Sequence, residues 1–241
     1  MKNIKILIIR NDNIGDLVLS TPVFREIKKH IPKAEITALV SPIPKPIIEK
    51  NKAISKILEI SSSKHNLKTF LEYLKTFRLL KKEKFDYGFD LRGSLMNTFF
   101  LLYLVGIKNR ISRVDQHPTI SRFLTKGIMF DNHSHICKDN LKLINKGLGI
   151  KSKDSWPEIA VDKMDINSVN SIIFKNNLQK YICICPVASL AFKQWPLENF
   201  KQLIFRLKKE YPNCQIVLLG TSKEKEILED LSQGNCKIFL N

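Results

Sequence analysis

Asp16 stands directly after Gly15, behind a short apolar run, Ile4-Lys-Ile-Leu-Ile-Ile9, and a polar turn, Arg10-Asn-Asp-Asn13. A carboxylate at the carboxyl end of a strand and near a helix start can serve as a general base if burial raises its proton affinity. The helix dipole works the other way. The same place suits an acid that only complements a helix N-terminus, with Asp12 or Asn13 as the cap. The junction holds one glycine and no Lys-Ser/Thr pair, so it is neither GxGxxG nor a P-loop, and a dinucleotide site of the usual kind is not expected. Arg92 lies in the turn after the Phe85–Leu91 run, where it can hold a ligand's carboxylate or phosphate or stand as a plain surface arginine. Ser189 precedes an amphipathic segment and can donate to a phosphate or cap the helix. His133-x-His135 has no third partner at ligand spacing, and the five cysteines form no CxxC pair. Neither a metal site nor a disulfide framework is expected, and a reducing compartment fits best. Cys183 and Cys185 share one strand face and are expected in the core.

The elements that must hold these residues alternate. Ile4–Ile9 reads as a parallel strand buried on both faces. Leu17, Val18, Val23, Phe24, Ile27 and Ile31 recur at helical spacing until Pro32 ends the pattern. Strands are predicted at Glu35–Val40, Lys56–Ile60 and Phe85–Leu91. Helices are predicted around Ile47–Lys50, over His65–Lys84 and over Ser94–Val105. Residues 110–134 carry no legible pattern, and a helix follows at Asn140–Leu148, closed by Gly147 and Gly149. The polar, proline-punctuated stretch Lys151–Asp162 is the linker candidate. The rhythm then restarts: helix Met164–Asn176, strand Tyr181–Pro186, helix Leu197–Glu210, strand Gln215–Leu219, helix Lys223–Leu231 and strand Cys236–Leu240. Trp195-Pro196 reads as a packing staple at a helix start, and Lys28-Lys29, Lys81-Lys82 and Lys208-Lys209 as cations suited to helix C-termini. Strand–helix alternation of this kind specifies α/β domains with parallel sheets and ligands at the carboxyl ends of the strands.

Composition narrows the classes. Of 241 residues 44% are hydrophobic and 26% charged, so disorder is not the default. Lys and Arg total 40 against 23 Asp and Glu, a net charge of +17. Residues 1–161 carry +14 of it, which favours an anionic partner for the first domain. Nucleic acid is not expected, because no interleaved aromatic platform or known motif accompanies the charge. The longest apolar run, Phe99–Ile107, is about half a membrane span. The expected location is cytoplasmic, with peripheral contact to the anionic inner face of the inner membrane.

Four blocks, in order, resemble glycosyltransferase family 9, the ADP-heptose:lipopolysaccharide heptosyltransferases. They are Ile14-Gly-Asp-Leu-Val-Leu-Ser-Thr-Pro22; Phe85-Asp-Tyr-Gly-Phe-Asp-Leu-Arg-Gly-Ser94, similar to "YDxxxDLRGS"; the helix His135–Ile150; and Ile184–Phe200, similar to "PGAS…KxWPxExF", followed by Val217-Leu-Leu-Gly220. The resemblance implies a GT-B fold of two Rossmann-like domains with parallel sheets: 1–161 on the acceptor side and 162–241 on the nucleotide-sugar side. It implies inverting, metal-independent transfer of a sugar, heptose from ADP-heptose, to a lipopolysaccharide core or lipid A-type acceptor, with no cofactor. Asp16 matches the family's general base and Lys193 the lysine that steadies the departing diphosphate. The glycine of "PGAS" is Val187 here, and the sequence stops before the family's "DSGxxH" block. The second domain is therefore expected to be incomplete. The leading expectation is the glycosyltransferase itself; the alternative is an impaired remnant that keeps its acceptor domain, or half of a two-chain enzyme.

Overall fold

Strand β1 (Lys5–Arg10) is the centre from which the first half of the chain is built. Ile6, Leu7, Ile8 and Ile9 are all fully buried, and they serve opposite faces in turn. Ile6 and Ile8 pack with Phe24, Ile27, Leu141 and Ile144, while Leu7 and Ile9 pack with Tyr73, Leu80, Leu101 and Leu102. Such a strand needs parallel neighbours on both edges and helices on both faces. The computed structural model, which describes residues 3–61, 67–115, 117–131, 133–188 and 190–240, supplies them.

The chain divides into two compact units, Met1–Val161 and Asp162–Asn241. In the first, β2 (Glu35–Val40), β3 (Lys56–Glu59), β4 (Tyr87–Asp90), β5 (Asn109–Arg113) and β6 (Lys126–Ile128) join β1 in one sheet of order β3-β2-β1-β4-β5-β6. Every ladder is parallel, with Ile6 opposite Ile36 in β2 and Ile9 opposite Asp90 in β4. Strands β5 and β6 fill the stretch where the sequence shows no pattern; they bring only Ile111 and Ile128 to the core.

The single helix expected through Ile31 is two: α1 (Ile14–Val18) and α2 (Thr21–His30). Pro22, in the first turn of α2, has no N–H to donate backwards. The break is held by side chains instead, Ser20 Oγ donating to the Asp16 carbonyl and Thr21 Oγ1 to that of Val18, each at 2.8 Å. The expected helix at Ile47–Lys50 is only a 3₁₀ turn, Lys45–Ile47. Helix α3 runs Leu67–Glu83, and the start expected at His65 lies outside the described residues. The segment expected as an ordinary helix over Ser94–Val105 is wound wider, as a π-type helix at Asn97–Tyr103. The Leu104 amide there reaches back five residues to the Phe99 carbonyl at 2.9 Å.

Helix α4 (Ile136–Leu148) starts earlier than expected, because His135 Nδ1 accepts the Cys137 amide at 3.3 Å and caps it. Gly149, at φ 71°, closes it. Gly147 does not close the helix: a Cβ there would lie 2.5 Å from Phe89 Cε1 and 3.2 Å from Ile111 Cγ1, so the missing side chain seats α4 on β4 and β5. Gly147→Ala is therefore expected to destabilise the first unit by about 1–3 kcal/mol through overpacking. Urea titration should show a lower midpoint at unchanged slope. A variant as stable as the parent would mean that Phe89 yields freely.

The linker is bound to α2 over part of its length. Arg25 donates to the carbonyls of Trp156 (3.1 Å) and Asp154 (3.2 Å) and pairs with the carboxylates of Asp154 and Glu158. The Glu158 amide donates to Thr21 Oγ1 at 2.9 Å.

In the second unit β7 (Tyr181–Ile184), β8 (Gln215–Gly220) and β9 (Lys237–Leu240) form a parallel sheet in that order. Helix α5 (Lys163–Lys175) opens on a capping box between Asp162 and Asp165. Helices α6 (Leu197–Glu210) and α7 (Lys225–Ser232) bring Ile204, Leu228 and Leu231 onto Ile184, Ile216 and Leu218. Trp195, two residues before α6, meets Phe200 edge-on at 4.8 Å, the staple expected from Trp-Pro. Cys183 and Cys185 do share a face, but it is the exposed one. Ile182 and Ile184 take the inward positions, because the larger aliphatic side chains bury more apolar area than the thiols.

Candidate functional site

The strand order of the first unit changes direction between β1 and β4. The chain leaving β1 enters α1 and α2, whose apolar side chains share a cluster with Ile6 and Ile8. The chain leaving β4 enters the π-type helix, which packs on the opposite face with Leu7 and Ile9. Connections that part in this way open a crevice at the carboxyl ends of the two strands, the usual ligand position in an open α/β sheet. Asp16 and Arg92 both belong to these connections.

Asp16 sits in the first turn of α1. Its Oδ1 accepts from Arg10 Nη2 at 2.8 Å, and its Oδ2 lies at the 3.5 Å limit from the Asn13 amide nitrogen. The side chain is 38% exposed, so a ligand can reach it. Arg10, the last residue of β1, is 3% exposed. Its Nη1 donates to the Leu91 carbonyl at 2.6 Å, and its Nε lies 3.0 Å from Asp12 Oδ1, an ion pair without hydrogen-bond alignment. The guanidinium therefore ties the end of β1 to the end of β4 and fixes one oxygen of Asp16, while the other has only a distant donor, Asn13 Nδ2. Burial pushes the Asp12 carboxyl above its ordinary range. The charge of Asp16 adds to that rise, and the guanidinium groups of Arg10 and Arg92 oppose it.

Asp90, the last residue of β4, is fully buried. Its Oδ1 accepts from the Arg92 amide (3.1 Å) and Asn97 Nδ2 (3.3 Å), its Oδ2 from the Ser94 amide (2.8 Å) and Thr98 Oγ1 (3.2 Å). Burial nonetheless drives its proton affinity up, against those donors. Asn97 exchanges amide hydrogen bonds with Asn11, at 2.9 and 3.3 Å, and accepts from Tyr73 Oη at 2.9 Å. Four elements thus meet in one buried polar network beneath the crevice. Gly93, at φ 77°, turns the chain above it, and a Cβ there would lie 2.5 Å from Arg113 Cγ. The Arg92 side chain makes no hydrogen bond or ion pair among the described residues, and its charge acts on the Asp12 carboxyl.

Lys193 belongs to the second unit. It ends a 3₁₀ turn, Ala191–Lys193, after β7, and its exposed ammonium lies 5.9 Å from the Phe192 ring with no anionic partner among the described residues. The loop before it is shaped by Gln194, whose side chain accepts the Ala188 amide at 2.7 Å and donates to the Pro186 carbonyl at 2.5 Å. Val187 packs against the core of its unit. Ser189 lies outside the described residues. The structure thus groups Asp16 with Arg92 in the first unit and places Lys193 separately in the second. Arg10, Asn11, Tyr73, Asp90 and Asn97 were not singled out by the sequence. The local signals were an arginine directly after four aliphatic residues of β1 and the place of Asp90 within the Phe85–Ser94 block.

The family model for glycosyltransferase family 9 (heptosyltransferase) matches residues 73–240, more than half of the chain. A lipopolysaccharide heptosyltransferase 3 of Escherichia coli is 25% identical over 232 residues, 91% of this chain and 65% of that protein. A lipopolysaccharide heptosyltransferase 2 of Salmonella typhimurium is 22% identical over 235 residues, 92% of this chain and 65% of that protein. This chain therefore spans just under two thirds of the length of these relatives. Among solved structures, a family 9 glycosyl transferase from Veillonella parvula superposes with a TM-score of 0.85 at 15% identity, over all of this chain and 71% of that one. The E. coli heptosyltransferase WaaC with ADP gives 0.75 at 16% identity, over 99% of this chain and 74% of that one. The two parallel α/β units are those of the GT-B fold.

Proposed function

As the chain belongs to glycosyltransferase family 9, we propose that it acts as a heptosyltransferase-type glycosyltransferase in lipopolysaccharide core assembly. The observation that carries this reading is the reachable, one-sidedly anchored carboxylate of Asp16 at the β1/β4 switch point, beside the unpaired Arg92. In this reading an acceptor hydroxyl donates its hydrogen bond to Oδ2 of Asp16, the oxygen that Arg10 does not hold. As the hydroxyl oxygen bonds to the anomeric carbon of the donor sugar, its proton passes to Asp16 and the bond from that carbon to the diphosphate breaks. Single displacement of this kind inverts the anomeric configuration. Arg10 holds the carboxylate in place throughout, and Arg92 meets a phosphate or carboxylate of the acceptor. ADP-heptose is the proposed donor, and Lys193 is proposed to meet the negative charge that develops on its leaving diphosphate.

Incubating the chain with ADP-heptose and a Kdo-lipid A acceptor should release ADP only when both are present. Acceptor-independent release, or none, would overturn the reading. Lys193→Ala should weaken calorimetric binding of ADP-heptose by about 10–100-fold, the worth of one charge-assisted contact. Unchanged affinity would remove Lys193 from the donor site.

A further inference from the structure

One side of the first unit keeps apolar side chains in water. The inward face of α3, at Tyr73, Thr76 and Leu80, is buried. Its outward face is apolar over the first turns, where Leu67, Phe70 and Leu71 are 74%, 43% and 56% exposed, and basic over the last, with Lys75, Arg78 and Lys82. Phe70 continues the apolar part sideways. It meets Phe100 edge-on at 6.2 Å, Phe100 meets Phe99 at 5.1 Å, and Phe99 meets Phe123 at 5.0 Å. The rings form one strip from α3 across the π-type helix to the 3₁₀ turn Pro118–Phe123. Tyr103 and Leu104, by the far end, are 43% and 40% exposed. No charged residue occurs from Gly93 to Ile107. Beyond the strip stand exposed Arg122 and half-buried Arg110, whose guanidinium lies 5.5 Å from the Tyr103 ring and donates to the carbonyls of Phe123 and Ile107. The acids of α3 are already engaged: Glu72 accepts the Ser61 amide, and Glu83 pairs with Lys5 and Lys56.

We propose that this face seats the protein on an anionic lipid bilayer. Leu67, Phe70, Leu71, Tyr103 and Leu104 enter the boundary between headgroups and acyl chains, and Lys75, Arg78 and Lys82 meet lipid phosphates. Interfacial binding draws on both terms present here, apolar area and basic charge. A second copy of this chain is the poorer occupant, since a twofold interface would set the same cations against each other. The surface goes beyond the proposed reaction and does not depend on it.

Vesicle sedimentation tests the surface. The intact chain should bind vesicles of phosphatidylcholine mixed with phosphatidylglycerol at least tenfold more tightly than phosphatidylcholine alone at low salt, and rising salt should weaken this. Each basic residue at such a surface is worth roughly fivefold, so Arg78→Glu/Lys82→Glu should lose at least tenfold. Leu71→Ser/Leu104→Ser should lose binding with an unchanged melting temperature, both side chains being exposed. Lys209→Glu/Lys223→Glu, with the same change in net charge placed on the second unit, should bind as the parent does. Equal binding to neutral and anionic vesicles would overturn the proposal, as would equal losses from the two charge-reversal pairs. So would a concentration-dependent dimer that Leu71→Ser/Leu104→Ser abolishes, because it would assign the face to self-association.

Discussion

Asp16→Asn should lower the rate of sugar transfer by about 10²–10⁴-fold, the usual worth of a general base. The variant keeps the size and polarity of the side chain but has no oxygen that can take the acceptor proton. Its fold should survive, because Asn suits a helix start as well as Asp. Arg10 also keeps its hydrogen bond to the Leu91 carbonyl and its ion pair with Asp12. The loss should fall on kcat with little change in the donor's Kd, since the missing step is proton transfer. ADP release measured at saturating acceptor, beside a thermal melt, separates the two quantities. Turnover near that of the parent would leave Asp16 as a helix-start acid and move the proton acceptor elsewhere.

A second large effect is expected away from the reacting atoms. Asp90→Ala removes the acceptor of four hydrogen bonds inside a fully buried network. Each buried donor left without a partner costs roughly 1–3 kcal/mol, and Asn97 and Thr98 can find partial substitutes, so a loss of about 2–4 kcal/mol is expected. Asp90→Asn should cost less, because it retains one acceptor, and it adds a pH signature. Burial raises the Asp90 proton affinity above its unfolded value of about 3.9. The folded state therefore holds the proton more tightly, and the resulting stabilisation is complete below that value and fades as pH rises through the folded one. The asparagine has no proton to lose, so from pH 4 upward it should gain ground on the parent. Burial also raises Asp12, but both proteins contain it, so the difference reports Asp90. Urea midpoints across that pH range, showing a gap between the two proteins that never changes, would rule this out.

Local pattern reached some of these features and not others. Ile4–Ile9 is visible as a two-faced strand because four consecutive aliphatic residues, Ile6–Ile9, have few other uses, and Asp16 is visible because it follows that run at a turn. Strands β5 and β6 are hidden: Asn109–Arg113 holds one apolar residue, Ile111, and three-residue β6 also holds one, Ile128. For Cys183 and Cys185, alternation gives the shared face but not its direction, and the isoleucines between and beside them decide that. The buried network is the least legible. Asn11, Tyr73, Asp90 and Asn97 stand up to 86 positions apart, and parallel strands bring them together only after the long crossover through α3. The Arg10–Asp16 pair is short in sequence, but its strength as an anchor comes from the Leu91 carbonyl 81 positions away.

The wide winding at Asn97–Tyr103 bears on how the family can change length here. A π-type turn holds one residue more than the α turn it replaces, so it behaves as a stored insertion. Losing a residue between Phe99 and Leu102 would let the backbone relax to α geometry instead of tearing it. The later side chains would keep their facing, because the widened turn already takes up the extra residue within itself. Asn97, ahead of the change, would keep its bonds to Asn11 and Asp90, and Tyr103, behind it, would keep its place against Phe123 at 5.2 Å. Ile107, which packs beside Gly88 on β4, would stay seated as well. A one-residue deletion would thus spare both the floor of the crevice and the far end of the aromatic flank, with the change confined to the turn around Phe100 and Leu101.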